Sequence, residues 1–256
     1  MSTFGVQSVG AGDFRPALTH GIIPALDVPT TAAVRDIVAA TSSVPGVVGY
    51  KLGLATVLDL GLAAAVDLVA GLTDLPIIYD HQKAGLDIPS NASNFAHSLA
   101  AAGVRAAVVF PVAGPRATVE YTSAIRTAGI VPLVGGLLPV PDYTKSSGGW
   151  VSDDVLEQIV RIALGNNETH LIVPAGDHVD PVVRVAADFG VRPTLFVPGI
   201  SASGQELAVL SGVAGRVAGI YPIVGQEVVA ADDPAGVAVR LVSALNEAVS
   251  AGGGIR

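Results

Sequence analysis

Three ionisable side chains follow one apolar segment at residues 77–89, which read "IIYDHQKAGLDIP". Asp80 comes directly after two isoleucines and a tyrosine, and Lys83 and Asp87 come soon after it. A lysine beside a carboxylate in a poorly solvated pocket stays charged, because each charge offsets the desolvation of the other. Such a group can deliver a proton to carbon or stabilise a developing negative charge. The spacing therefore indicates electrostatic and acid–base chemistry.

Two earlier segments also carry a charge near their ends. Asp27 ends the apolar run of "IIPALDV", and Lys51 lies near the end of "VVGYKLG". A lone aspartate at a strand end is usually a helix cap, and a lone lysine can extend its head out of an apolar wall. Three successive strands that each deliver a charge to one rim favour a site instead. We expect Lys51, Asp80 and Lys83 to form a network of alternating charge.

Short β-branched segments alternate with alanine-rich helical patterns along the chain. Continuous apolar strands that alternate with helices are typical of a parallel sheet buried on both faces. About eight such units in 256 residues predict an α/β fold, a single-domain (β/α)8 TIM barrel. The alternative is an open doubly wound sheet, but the first strand is not followed by Gly-x-Gly-x-x-Gly. The expected strands are residues 22–28, 47–53, 76–81, 106–112, 131–137, 170–175, 193–199 and 218–225.

The predicted domain is the barrel at residues 21–248, with an N-terminal extension at 1–20 and a disordered tail at 249–256. The longest interruption, residues 137–154, is rich in Pro, Ser and Gly and follows the fifth strand. Strand-to-helix loops of a barrel surround the face that carries the chemistry, so a long one there is typical of a lid. The alternative is a surface insertion without function.

Composition excludes several classes of function. The net charge of −8 argues against a nucleic-acid partner, and Pro, Gly and charged residues interrupt every apolar run, so we expect no membrane segment. The chain has no cysteine and starts without a basic segment followed by an apolar one, so we expect a cytoplasmic protein without a secretory signal. The five histidines show no metal-ligand spacing, and we expect no metal.

Glycine-bearing turns follow the last two predicted strands, at "VPGISASG" (197–204) and "IVGQEVV" (224–230). In barrels, turns at this place often hold phosphate through backbone N–H groups. Glycine is also common in turns that bind nothing. The alternatives are therefore a phosphate cradle and two ordinary turns.

Together these segments resemble the orotidine 5′-phosphate decarboxylase family over nearly the whole chain. "ALDV" is similar to the family's first-strand aspartate segment, "YKLGLATVLDLG" to its second-strand lysine segment, and "YDHQKAGLDIP" to its Asp-x-Lys-x-x-Asp-Ile-Pro signature. "VPGISASG" and "IVGQEVVAADDP" resemble its phosphate-gripping turns. The resemblance implies a homodimer with shared active sites that needs no cofactor. It further implies a small-molecule nucleotide substrate, orotidine 5′-monophosphate (OMP), which is converted to UMP in pyrimidine biosynthesis.

The resemblance also implies a role for each matching residue. Lys51 would anchor the charge network, Asp80 would face the substrate carboxylate, and Lys83 would stabilise the carbanion and protonate C6. Asp87 would act in the site of the partner subunit. The substrate-binding residues that the resemblance implies are Asp27 on the ribose hydroxyls, Ile88, and Gly199, Ser201, Ser203, Gln205, Gly225 and Gln226 in the two turns.

The chain departs from the family pattern in three places. One extra residue separates Asp80 from Lys83, and another separates Lys83 from Asp87. Gln226 stands where the family has the arginine that grips phosphate, and Ser203 stands where it has a glutamine. Two alternatives to OMP decarboxylation therefore stay open. One is a related sugar-phosphate decarboxylase, such as 3-keto-gulonate 6-phosphate decarboxylase, which uses Mg²⁺. The other is a nucleotide- or nucleoside-binding homologue with altered or no catalysis.

Overall fold

The computed structural model describes residues 18–81, 85–201 and 203–255. Eight parallel strands form a closed barrel in chain order, in which β1 pairs with both β2 and β8. The predicted (β/α)8 barrel is thus confirmed, and each strand lies within the segment expected for it. The strands are β1 Ile23–Leu26, β2 Tyr50–Leu52, β3 Ile77–Tyr79, β4 Ala106–Val109, β5 Val131–Val134, β6 His170–Ile172, β7 Thr194–Val197 and β8 Gly219–Val224.

Helices follow the strands and cover the outside of the barrel. They are α1 Thr31–Thr41, α2 Leu54–Leu60, α3 Leu62–Ala70, α4 Ala92–Ala101, α5 Pro115–Thr127, α6 Val155–Gly165, α7 Val179–Asp188, α8 Gln226–Val229 and α9 Pro234–Ala251. Short 3₁₀ helices occur at Pro89–Asn91, Lys145–Ser147, Gln205–Gly212 and Ala214–Arg216. None of the helices in the described ranges combines the length and the apolar character needed to cross a membrane.

The core has two layers because side chains alternate between the two faces of each strand. An inner cluster that includes Ile23, Ile78, Val108 and Phe196 fills the barrel interior. A larger outer cluster packs the strands against the helices. In β2, Tyr50 and Leu52 belong to the outer cluster, so Lys51 between them projects towards the interior side.

Residues near both ends of the described chain pack onto the barrel. Leu18 and His20 lie against β8 at the N-terminal end of the barrel, where Leu18 O accepts a hydrogen bond from the Tyr221 hydroxyl at 2.8 Å. The rest of the predicted extension lies outside the described residues. At the other end, α9 continues to Ala251 with Val249 buried. Ile255 packs against the outer cluster, so most of residues 249–256 belongs to the folded barrel.

Candidate active site

The charged pair at the centre of the site joins two neighbouring strands. Lys51 Nζ lies 2.5 Å from Asp80 Oδ2, and the two side chains are only 9% and 12% exposed. The Asp80 N–H donates to Leu52 O at 2.9 Å, which fixes the end of β3 against β2. Parallel register places Lys51 opposite Ile78, two residues before Asp80. The sequence prediction that Lys51 and Asp80 meet at the C-terminal rim is therefore supported by a direct contact.

The two carboxylate oxygens of Asp80 differ in their contacts. Within the described residues, Asp80 Oδ1 is buried and has no hydrogen-bond partner, while Oδ2 is bound to Lys51. A buried carboxylate oxygen without a partner is costly, and such atoms concentrate at functional sites. Lys83, the third predicted member of the network, lies outside the described residues. Asp80 Oδ1 can thus accept a hydrogen bond from a ligand or contact a cation.

Asp27 lies beside the same rim in a tightly constrained position. The side chain is exposed, and its Oδ1 accepts a hydrogen bond from the Ala55 N–H at 3.2 Å. A Cβ added to Gly53 would lie 2.1 Å from the Asp27 carboxyl carbon, so only glycine leaves room for this carboxylate. Thr56 donates to Leu26 O at 2.8 Å and Val28 O at 2.7 Å, which ties the end of β1 to α2. Gly53 and Thr56 were not identified from the sequence.

The segment after β3 continues the site towards the outside of the barrel. Asp87 is exposed and accepts hydrogen bonds from the Ile88 N–H at 2.7 Å and from Asn91 Nδ2 at 2.9 Å. The bond from Asn91, followed by the one from Ile88, holds the pKa of Asp87 below its ordinary value. Ile88 itself is 66% exposed. Asp87 also lines a cavity of about 530 Å³ over α4 and α5, whose other lining residues include His81, Phe95 and Tyr121.

His81 contacts two aromatic side chains, one from β3 and one from α4. His81 Nδ1 lies 2.9 Å from the Tyr79 hydroxyl, and the His81 ring packs against Phe95 at a centroid distance of 5.7 Å. Burial, followed by the nearby Asp80 charge, raises the pKa of Tyr79 above its ordinary value. Tyr79 therefore stays protonated and can position the imidazole.

The turn after β7 contains Gly199, Ser201 and Ser203, which were predicted to bind substrate. Gly199 has a φ of +87°, a conformation that favours glycine. The Ser201 N–H and hydroxyl both donate to Glu206 Oε2, at 3.1 Å and 2.7 Å, and Ser203 Oγ lies 2.8 Å from Ser201 Oγ. The Ser201 donors are thus bound by a carboxylate of the same chain. Glu206 was missed from the sequence, where it is one acidic residue in "SGQEL".

The other predicted turn residues are exposed or partly exposed. Gln205 begins the 3₁₀ helix Gln205–Gly212, and Gln226 begins α8 directly after Gly225. Both glutamine side chains are exposed on the strand-end face of β7 and β8. Arg216 lies before β8, and its guanidinium pairs with Asp180. It therefore does not replace the arginine missing from position 226.

The predicted lid is a structured loop. The Tyr143 hydroxyl donates to Gly136 O at 3.0 Å, and Asp153 accepts from the Ser146 N–H at 3.0 Å and from its hydroxyl at 2.6 Å. A cavity of about 410 Å³ separates this loop from the segment after β6. At its tip, Trp150 is 94% exposed. Whether the loop closes over a ligand stays a prediction.

Three solved structures illustrate what the fold of this chain is similar to. Orotidine 5′-monophosphate decarboxylase from Methanocaldococcus jannaschii, complexed with the inhibitor BMP, is 16% identical with a TM-score of 0.72, over 90% of this chain and 100% of that one. Orotidine 5′-phosphate decarboxylase from Pyrococcus horikoshii is 18% identical with a TM-score of 0.68, over 88% and 99%. KGPDC from Streptococcus mutans is 17% identical with a TM-score of 0.65, over 90% and 99%.

Sequence comparison adds no closer relationship. No model of a protein family matches the chain, and no curated protein matches its sequence. The resemblance inferred from the sequence is thus borne out in the fold of the whole barrel. At these identities, the likeness extends to the architecture, and the assignment of a substrate must come from the residues of the site.

Proposed function

We propose that this protein is a carboxy-lyase that decarboxylates OMP to UMP without a cofactor. The observation that carries the proposal is the buried Lys51–Asp80 pair at the strand ends, with Asp80 Oδ1 left unpartnered within the described residues. Lys83 follows Asp80 by three positions in the sequence. The fold shared with two OMP decarboxylases supports the same reaction class.

The proposed reaction uses the two lysines and the aspartate in different roles. Asp80 would lie against the substrate carboxylate, whose negative charge it repels. The bond between C6 and the carboxylate breaks, its electron pair stays on C6, and CO₂ leaves. The ammonium of Lys83 stabilises this carbanion and then donates a proton to C6, which gives UMP; the lysine regains a proton from water. Lys51 holds Asp80 in position, so the field of the site is set before the substrate arrives.

The rest of the ligand would contact the residues inferred from the sequence. Asp27 would accept hydrogen bonds from the ribose hydroxyls, since its carboxylate is exposed beside the charged pair. The turns after β7 and β8 would surround the far end of the nucleotide. Asp87 and Ile88 would reach the site of a second subunit, which makes the working unit a homodimer.

Three exposed apolar side chains agree with such a dimer. Leu58 in α2 is 76% exposed, and Leu86 and Ile88 are 49% and 66% exposed. These side chains follow the neighbouring strands β2 and β3, so they lie at one side of the strand-end rim. Association of two copies through this side would remove apolar surface from water.

The direct test follows the absorbance of OMP in the presence of purified protein. The wild type should consume OMP, and Lys83→Ala should abolish turnover while the circular dichroism spectrum stays unchanged. Arg35→Ala is the matched control, because it removes one positive charge from an exposed position on α1. Activity of Lys83→Ala close to that of the wild type would exclude Lys83 as the proton donor.

A mixing experiment tests the shared site. Lys83→Ala and Asp87→Ala should each be inactive, and a mixture should regain activity once subunits exchange. Each mixed dimer would then hold one site with both residues intact and one with neither. If the mixture stays inactive although subunit exchange is verified by mass spectrometry, Asp87 acts within its own chain.

A second enzymatic candidate is the sugar-phosphate decarboxylase reaction, which the fold shared with KGPDC favours. Turnover of 3-keto-gulonate 6-phosphate in the presence of Mg²⁺, without turnover of OMP, would support it. Binding of nucleotide without turnover of either compound would identify a homologue that binds but does not catalyse. One preparation of the protein therefore distinguishes all three functions.

A further inference from the structure

In the turn after β7, the carboxylate of Glu206 binds the hydrogen-bond donors of Ser201. Two donors of Ser201, its backbone N–H and its hydroxyl, meet at Glu206 Oε2. A phosphate oxygen at a barrel turn is bound by the same kinds of donor. Glu206 therefore occupies hydrogen-bonding capacity that a phosphate group would need.

Glu206 is ionised at neutral pH. The pKa of Glu206 is held below its ordinary value by three hydrogen bonds. The donors are the Ser201 hydroxyl, the backbone N–H of Glu206 and the backbone N–H of Ser201. Gly204, with a φ of +68°, directly precedes the 3₁₀ helix that carries Glu206, so the backbone itself turns this side chain back towards Ser201. The carboxylate thus belongs to the conformation of the turn.

The two turns themselves supply no compensating positive charge. Residues 198–206 and 225–233, which follow β7 and β8, contain no lysine or arginine. They contain four acidic residues, namely Glu206, Glu227, Asp232 and Asp233. A phosphate monoester carries between one and two negative charges at neutral pH and is usually held by charge-assisted hydrogen bonds. At this end of the site, a phosphate would meet a carboxylate instead.

We propose that Glu206 determines specificity at the turns after β7 and β8, where it disfavours a phosphate monoester and favours a hydroxyl group of the ligand. A hydroxyl can donate a hydrogen bond to a carboxylate, whereas a phosphate dianion has no proton to donate. The site would then hold OMP mainly through its base and ribose, and would accept the unphosphorylated nucleoside orotidine at least as well. This inference rests on the proposed function for the choice of a pyrimidine ligand.

Equilibrium binding tests the proposal independently of catalysis. Calorimetric titrations with UMP, uridine and inorganic phosphate would be made on the wild type, Glu206→Gln and Glu206→Ala. Glu206→Gln removes the negative charge and keeps an acceptor for Ser201. Glu206→Ala removes both the charge and the acceptor. Glu227→Gln is the matched control, because it removes a neighbouring charge from α8 and leaves the contact with Ser201 in place.

The expected result is that the wild type binds UMP no more tightly than uridine. Both Glu206 variants should then bind UMP about tenfold more tightly, with the affinity for uridine unchanged or lower, since charged hydrogen bonds contribute on this scale. Glu227→Gln should have a much smaller effect. The proposal is overturned if the wild type strongly prefers UMP, if the Glu206 variants leave the UMP affinity unchanged, or if Glu227→Gln has an equal effect.

Failure of the proposed function would look different. A protein that binds neither UMP nor uridine contradicts the pyrimidine assignment, and the phosphate titration then decides about Glu206. Tighter binding of inorganic phosphate to Glu206→Ala than to the wild type would still support the role of Glu206. Equal phosphate affinity, or no phosphate binding by either protein, would overturn it.

Discussion

The Lys51–Asp80 pair should show strong energetic coupling in a double-mutant cycle. Both side chains are nearly inaccessible, and their charged atoms are 2.5 Å apart. Lys51→Met keeps most of the side-chain volume but leaves the Asp80 carboxylate without its cation. Removal of one partner of a buried ion pair costs about 3–5 kcal/mol, because the remaining charge is desolvated and unpaired. We expect Lys51→Met to lower the free energy of unfolding by an amount in this range.

Replacement of both partners should cost less than the sum of the single changes. Asp80→Asn leaves Lys51 beside a neutral amide and should also destabilise the protein. The double variant Lys51→Met/Asp80→Asn contains neither buried charge, so its destabilisation should fall short of the sum by about 2 kcal/mol or more. All three variants should be inactive. Folding must therefore be measured directly, because an activity assay does not distinguish an unfolded variant from a folded, inactive one.

Urea unfolding followed by far-ultraviolet circular dichroism provides the four free energies. Tryptophan fluorescence is unsuitable, because Trp150 is 94% exposed and reports little of the core. The exposed pair Arg116–Glu120 on α5 serves as the control cycle and should show far weaker coupling, since water screens it. Additive effects of Lys51→Met and Asp80→Asn would refute the reasoning, because they would mean that the two charges do not stabilise each other.

Three further changes test other parts of the structure. Gly53→Ala should weaken binding of UMP as Asp27→Ala does, because the new methyl group displaces the Asp27 carboxylate; calorimetry on both single variants and on the double variant would reveal any independent effect. Burial raises the pKa of Glu168 to about 7 although Arg126 opposes the shift, so ionisation of Glu168 destabilises the folded state as pH rises from about 4.5 to 7. Because the folded pKa is above the unfolded one, the penalty is absent at low pH and reaches about 3 kcal/mol above pH 7. Urea unfolding should therefore show that Glu168→Gln stabilises the protein more at pH 8 than at pH 5, and equal effects at both pH values would contradict this. Gln226→Arg should strengthen binding of UMP by about 1–3 kcal/mol, since a guanidinium adds charge and a second donor, and should barely change the affinity for uridine. An equal effect on both ligands would mean that position 226 does not contact phosphate.

The sequence predicted the architecture because each strand is an apolar run bounded by helical patterns. The exact ends were harder to predict, since apolar residues continue beyond the paired segment. For β2 the expected range was 47–53, whereas the strand is Tyr50–Leu52. Between β2 and β3, Gly61, with a φ of +79°, separates the two short helices α2 and α3.

The site was predictable where strand geometry alone decides which residues meet. Lys51 and Asp80 lie on neighbouring parallel strands and project from the same end, so the sequence was sufficient to expect their contact. The contact of Glu206 with Ser201 depends on the left-handed backbone at Gly204 and on the direction of one side chain. No pattern of residue types encodes that direction, and the contact became visible only in three dimensions.

The two sides of the strand-end face differ in charge, and this difference constrains how any ligand can lie. The side after β2 and β3 carries Lys51 and Asp80, with Lys83 three positions further along the chain. The side after β7 and β8 carries Glu206 and other acids without a cation in either turn. A ligand with one carboxylate therefore gains most when that carboxylate points towards Lys51 and its hydroxyl groups point towards Glu206. Reversal of the ligand would bring its carboxylate to Glu206 and leave Lys51 unused, so the charges of the barrel select one orientation before any shape is considered.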